Sequence, residues 1–411
     1  MVPELTRRRL LVAGGLTATA LTGGYALADS IDSPQDSPNG WPMARHGPAG
    51  RGFSASARPP TDGVTVAWRQ PFDGRIGYGY GDSPVVADGR VVALADELLV
   101  VDAAGGEVQF RANRRSTAAP AVAPARAYES PTLATSGQRG ITGLHADGGV
   151  DLFGSERGLT RWHRDGSETD DATTIFSSSP NTSPLVAVDD TVLVPAGGSL
   201  TAVDASDGSV AWQREAGDTR PVVTDGVVYT TRFPDGIVGF DLTTGERQTQ
   251  FRPGEETVWS VTATPDGLVA STREGLVGCS TDGTVRWRFQ PQDLTDSRAA
   301  IAVGDGTAYA GIQIGETNTL VAVDTTDGSE RWRNDIFPAS APQFAPPAVA
   351  ERTVYVPTQR EGLLALDATD GRVRWRFESE SEQAVPMAPP ALAGDRLYTT
   401  DAEYVYALEE P

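Results

Sequence analysis

The chain has no lysine, one cysteine and three histidines among 411 residues. The single cysteine, Cys279, excludes an intrachain disulfide and a cysteine-based metal site. His46, His145 and His163 are scattered without metal-ligand spacing, so no metal site is expected. There is no G-x-S-x-G elbow and no phosphate-binding loop. The sequence thus offers no catalytic constellation, and no catalytic residue is nominated. With lysine absent, every basic side chain is an arginine; 34 of them stand against 55 acids, a net charge of −21. Residues 1–28 hold three arginines and one glutamate, which leaves 31 arginines against 54 acids, or −23, in residues 29–411. That balance argues against nucleic acid and anionic membranes as partners.

A lysine-free, Asp/Glu-rich surface resembles the proteins of extreme halophiles, archaeal ones above all. At molar salt the Debye length is about 3 Å, so self-repulsion is screened, and the fold is expected to loosen in dilute buffer. The N-terminus reads as an export signal. Thr6-Arg7-Arg8-Arg9-Leu10-Leu11 resembles a twin-arginine motif, a mildly apolar run follows, and Ala26-Leu27-Ala28 fits an A-x-A cleavage site. Residues 1–28 are expected to be a twin-arginine-type signal peptide, and uncleaved retention as an anchor is the rival reading. Residues 29–40 read as an acidic flexible linker. An extracytoplasmic location follows, secreted or at the cell surface, with no transmembrane domain after cleavage. Asn181-Thr182-Ser183 is a glycosylation sequon that an exported surface protein would tolerate.

From residue 41 onward one phrase recurs: A-x-D-x-x-x-G-x-x-x-W, complete at Ala202–Trp212, Ala322–Trp332 and Ala365–Trp375. The residues before the Asp alternate as in a half-buried strand. The Asp accepts backbone N–H bonds two residues on and fixes a turn. The Gly supplies a positive φ at no steric cost, and the small Ala is expected to let a neighbouring sheet approach. The next strand delivers a Trp; burying an indole removes about 150–250 Å² from water, worth about 4–6 kcal/mol. Trp68, Phe110, Trp212, Trp287, Trp332 and Trp375 are therefore read as structural docking residues. The repeated aspartates (Asp102, Asp204, Asp241, Asp324, Asp367) are read as turn residues.

The repeats number eight. The first starts at Ser83 and carries Phe110 where Trp is expected. The second starts at Ser130 and is degenerate; aligning Gly158–Gly166 with Gly275–Gly283 matches Trp162 to Cys279, which excludes Trp162 as a docking residue. The third starts at Ser183 and the fourth at Arg220, with Thr249 in place of Trp. The fifth and sixth end at Trp287 and Trp332, and the seventh and eighth start at Pro346 and Pro389. In the last, Glu409 replaces the Asp and the final strand is missing, whereas Val64–Arg69 offers an unpaired strand ending in Trp68. Ring closure resolves both. Trp68 and Trp375 lie 307 residues apart, seven steps of about 44, the size of a four-stranded propeller blade. The expected fold is all-β: an eight-bladed β-propeller of four-stranded antiparallel blades, with a strand at about 64–69 completing the last blade and removing two sheet edges. Residues 41–411 form one domain, expected to be monomeric, and 48–60 read as an extended lead-in.

The phrase, the Pro221–Tyr229 half and the Trp-Pro-x-x-Arg-His opening at Trp41–His46 resemble the PQQ-binding-like β-propeller repeat family. The resemblance covers nearly all of 41–411 and implies the eight-bladed fold. It does not choose an activity, because the family is similar both to quinoprotein alcohol dehydrogenases and to non-enzymatic envelope assembly propellers. The dehydrogenase side would imply PQQ over the central channel, a vicinal disulfide, Ca²⁺ and an Asp base. One cysteine excludes the disulfide, and the Ca²⁺ ligands and base map onto no position.

Propellers bind at one mouth of the channel, on the loops entering the innermost strands and on those between second and third strands. Candidate ligand-binding residues there are Arg75, Tyr78 and Tyr80, with Asp82, before the first repeat; Arg126 and Tyr128, with Arg114, Arg115 and Glu129, before the second; Arg220 before the fourth; and Trp259 before the fifth. Arg232, Phe233, Arg273, Gln359, Arg360 and Tyr404 fall in the second loop set. Arginines and aromatics gathered at one mouth of an acidic protein suit an anionic or aromatic ligand or a protein partner; simple pairing with the abundant acids is the bland reading. The function expected is that of an exported, non-catalytic propeller binding a protein or small ligand at the channel mouth, with no cofactor. The alternative is a PQQ-dependent alcohol or sugar oxidoreductase with a divergent site, which would require PQQ with Ca²⁺.

Overall fold

Asp-Gly pairs punctuate the chain, and they set its folding pattern. Asp88-Gly89, Asp225-Gly226 and Asp305-Gly306 place both residues at positive φ (49° and 73°, 52° and 72°, 47° and 70°). Two such residues form the two-residue loop whose twist matches antiparallel strands. Each inner strand therefore turns straight back onto its sequence neighbour, and sheets grow by successive hairpins. The computed structural model describes residues 40–71, 83–94, 97–112, 118–137, 140–152, 155–165, 184–217, 219–254, 257–338, 345–358, 362–380 and 387–411. Among them none is helical and the strands form eight sheets. The expected signal peptide, all of the linker but Gly40, and the sequon Asn181–Ser183 lie outside the described residues.

The blades span 85–112, 121–165, 186–215, 222–251, 258–289, 294–338, 348–377 and 391–409, and the last is completed by Thr65–Pro71. That N-terminal strand pairs antiparallel with Tyr404–Glu409, from Thr65 opposite Glu409 to Pro71 opposite Tyr404. The ring is closed as the orphan strand implied. Glu409 stands at the Asp position, with Ala407 opposite Trp68 as Ala365 is opposite Trp375, and pairs with Arg396 at 2.9 Å. Its neighbour Glu410 accepts the N–H groups of Thr61 (2.7 Å) and Asp62 (3.1 Å) where the two chain ends meet. The seam between last and first blades is sealed by Arg396 and Tyr398, which donate to the Ala103 carbonyl at 3.0 and 3.1 Å.

Blade-to-blade docking follows one rule. The indole N–H of Trp68, Trp212, Trp287 and Trp332 donates to a carbonyl in the Asp–Gly turn of the next blade (Ala103, Leu242, Thr325 and Ala368, at 2.7–3.1 Å). The indole then lies over the turn glycine. At Gly371 (φ +74°) a Cβ would come within 2.5 Å of Trp332, so a side chain is excluded by space as well as by backbone. The turn Asp carboxylate accepts N–H bonds as expected, for instance from Thr369 to Asp367 at 2.7 Å. Trp375 has no such turn in the blade that follows, where the chain ends meet; it donates to Pro60 in the lead-in at 3.2 Å.

Three sequence expectations need correction. Trp162 is the docking residue of the second blade: it donates to Ala205 at 2.9 Å and lies over Gly208. The alignment that excluded it slipped because the outer strand, Ser155–Asp165, shifts register twice before Trp162, so sequence spacing no longer counts faces. That blade opens with Ala121–Ala123, one strand ahead of Ser130. The small residue of the phrase stands opposite the Trp of its own blade, as Ala365 does to Trp375 and Gly278 to Trp287, so its smallness makes room for that indole rather than for a neighbouring sheet. In the fourth blade, where Thr249 occupies the Trp position, Phe251 two residues on lies over Gly283 of the next blade. Phe110 is buried among Val122, Leu133 and Leu144 of the second blade.

Candidate functional site at the channel axis and mouth

The innermost strands are three residues long in most blades, and each would present unpaired backbone groups to the channel. The N-terminal segment bonds to such groups in seven of the eight blades, all but the third. Residues 41–58 run around the inside of the ring. Trp41 exchanges two hydrogen bonds with Val86 of the first blade, and the Pro42 carbonyl accepts from Val122 of the second. Pro48, Ala49, Arg51 and Gly52 then accept from Val223, Ala263, Val303 and Val349 of the fourth to seventh blades at 2.8–3.0 Å. Phe53–Ser54 pairs parallel with the seventh blade, and the Arg58 N–H donates to Gly394 of the eighth. The lead-in is thus an inner girdle. Its Gly and Pro content follows from the path: Gly50 and Gly52 take φ +69° and +60°, and a Cβ on Gly50 would lie 2.6 Å from Arg220.

Two arginines lie inside this girdle. Arg45, itself at φ 67°, is 8% exposed and donates through Nε to Gly50 at 2.8 Å and through Nη2 to Ile301. Arg220 is 6% exposed and donates to Ala44, Pro221 and Gly47 at 3.2, 3.0 and 2.8 Å. Every acceptor is a carbonyl, which supplies a dipole but no countercharge. Burial lowers Arg45 to about 10, and burial together with the Arg45 charge lowers Arg220 to about 9. Both remain cationic at pH 7. The two line a cavity of about 20 Å³ together with Gly50, Thr219, Ser260–Thr262, Ala300 and Ile301.

The candidate residues divide into three groups. Arg75, Tyr78, Tyr80 and Arg360, with Asp82, Arg114, Arg115 and Gln359, lie outside the described residues. Arg232, Phe233 and Arg273 lie at turns between second and third strands, Tyr404 opens the third strand of the eighth blade, and Trp259 lies at the start of the first strand of the fifth, all at one end of their blades. Arg232 pairs with Glu215 at 2.7 Å and Asp235 at 3.3 Å; Phe233 beside it is 81% exposed. Trp259, half-buried at the start of the fifth blade, has the Arg298 guanidinium 5.9 Å from its ring centre, and Arg273 is exposed on that blade's second turn. Arg69 stands 4.9 Å over Tyr404 in the eighth blade. Arg126 and Tyr128 correct the expectation: they sit between the first and second strands of the second blade, at the opposite end of the ring, where Arg126 pairs with Asp190 at 2.7 Å and Arg161 covers the Tyr128 ring at 4.2 Å. Arg220 enters from a mouth loop but turns inward to the axis. Sequence reasoning missed Arg45, whose only trace was its place in the Trp41–His46 opening.

Cys279 is buried in the fifth blade with its thiol pushed up to about 12 by burial. Among the described residues no group of three or more His, Cys, Asp or Glu is placed to hold a metal ion. Among the described residues no helix is long and apolar enough to cross a membrane, which says nothing of strands.

The family model described as outer membrane protein assembly factor BamB matches residues 56–279 and 273–409. No curated protein matches the sequence. Among solved structures, BamB from Moraxella catarrhalis is similar at 16% identity and a TM-score of 0.58, over 84% of this chain and 98% of that one. Quinohemoprotein alcohol dehydrogenase from Comamonas testosteroni is similar at 13% identity and a TM-score of 0.66, over 93% and 82%. A europium-containing methanol dehydrogenase is similar at 12% identity and 0.66, over 91% and 99%. At these identities the likeness is one of fold.

Proposed function

The chain belongs to the family described as outer membrane protein assembly factor BamB, and on that premise we propose that it is an exported, non-catalytic propeller that binds a protein partner at the channel mouth. The observation that carries the reading is the girdle: the chain's own residues 41–58 occupy the inner edges of the blades, around two buried arginines. An axis filled in this way serves rigidity better than turnover. Export is supported by the arginine motif at Thr6–Leu11 and the A-x-A site ending at Ala28.

The mouth has the composition of a docking surface. Phe233 projects from the fourth blade, and Trp259 with Arg298 lies at the same end of the adjacent fifth blade. Aromatic and arginine side chains are the usual anchors of protein interfaces. The alternative, a PQQ-dependent oxidoreductase, is separated by one experiment. PQQ with Ca²⁺ is titrated into the purified chain, and quinone absorbance and dye reduction with alcohols are recorded. The expected outcome is no stoichiometric quinone binding and no dye reduction above a protein-free control. Stoichiometric binding with turnover would overturn the proposal.

A further inference from the structure

We propose that the chain holds a small monovalent anion, a halide, between Arg45 and Arg220 inside the ring. Two guanidinium groups, each more than nine-tenths buried, line one cavity. Among the described residues neither pairs with a carboxylate: their partners are the carbonyls of Gly50 and Ile301 for Arg45, and of Ala44, Pro221 and Gly47 for Arg220. Two like charges are thereby removed from water side by side, the arrangement in which an uncompensated buried charge is most costly. An anion between them removes both the repulsion and the missing countercharge.

The donors remain in place for it. A guanidinium carries five N–H groups in a planar fork. Arg45 uses two in the bonds above, and its buried Nη1 has no partner among the described residues. Arg220 uses three. The cavity hydroxyls are committed elsewhere: Ser260 donates to Ala299 at 2.5 Å and Thr262 to Ile301 at 3.0 Å, and Thr219 bonds to Thr231 at 2.9 Å. The guanidinium N–H groups are therefore the donors that an ion would meet. A cavity of about 20 Å³ has room for a single water-sized occupant. A halide ion is close to that size. The walls come from the girdle, the segment entering the fourth blade, the fifth blade and the sixth. A bound halide would pin the girdle to three blades at once.

The test uses the full chain. Crystals grown in bromide are measured at the bromine absorption edge. Unfolding is followed in chloride, bromide and gluconate at matched ionic strength. The expected results are an anomalous peak between Arg45 and Arg220 and a higher unfolding midpoint in either halide than in gluconate. Above the dissociation constant, the unfolding constant should fall tenfold for each tenfold rise in halide, about 1.4 kcal/mol per decade for one site. Arg220→Met should abolish the difference between anions, whereas Arg126→Gln at the opposite end should keep it. If Arg220→Met fails to fold, the wild-type bromide map and anion series decide alone. No bromide peak at this position, or equal midpoints in chloride and gluconate, overturns the site.

Discussion

The side chains that organise this fold act over a few ångströms, and their protonation is set there. At Asp324 the Arg331 guanidinium, 2.6 Å away, and next the Thr326 N–H at 2.8 Å hold the carboxyl down to about 2, against 3.8 in a free side chain. A carboxyl whose folded value is depressed adds stability that is fully present above 3.8 and is lost as the pH falls through about 2. Arg331→Met should therefore lower the urea midpoint at pH 7, and the gap to wild type should close by about pH 2. A gap that persists unchanged at pH 2 would show that Arg331 acts through packing instead. The aspartates, glycines and tryptophans of the turn phrase were legible because they recur at fixed spacing. Arg45 and Arg220 were not, because what defines them is a meeting: Arg220 donates to Ala44, 176 positions away in the chain. Composition gives no sign of such a pairing, and Arg220 was legible only as a mouth-loop residue.

Strands carry the closure, and two N-terminal elements perform it differently. Thr65–Pro71 was legible because it brings a complete strand with a Trp and finds no sequence neighbour, whereas the last repeat lacks one. Residues 41–58 carry no periodicity and attach mainly through backbone carbonyls, which every residue possesses, so the girdle could be read only as lead-in. Trp162 lies between these cases. Its residue type was the expected one, and the register shifts in Ser155–Asp165 concealed its face. Deleting residues 61–70 removes the outer strand of the eighth blade and exposes the Tyr404–Glu409 edge, while also cutting Trp68 from Gly106 of the first blade. Light scattering should then report aggregation. A deletion that remains monomeric with an unchanged unfolding midpoint would refute closure by this strand.

At the scale of the whole molecule, charge and cation are separated in an unusual way. The chain carries −21 overall, yet two of its arginines are buried against the girdle with no acid paired to them among the described residues. Acids outnumber bases by 21 across the chain, whereas the girdle meets the inner strands through backbone groups. The girdle is the feature on which the proposed function rests, and hydrogen exchange of the native chain reads it directly. The amides of Val122, Val223, Ala263, Val303 and Val349 donate to Pro42, Pro48, Ala49, Arg51 and Gly52. Held there, they should exchange in the slowest class, through global unfolding alone. Exchange of these five amides at the rate of unpaired edge-strand amides, while the second strands of the same blades stay protected, would contradict the girdle and the functional reading built on it.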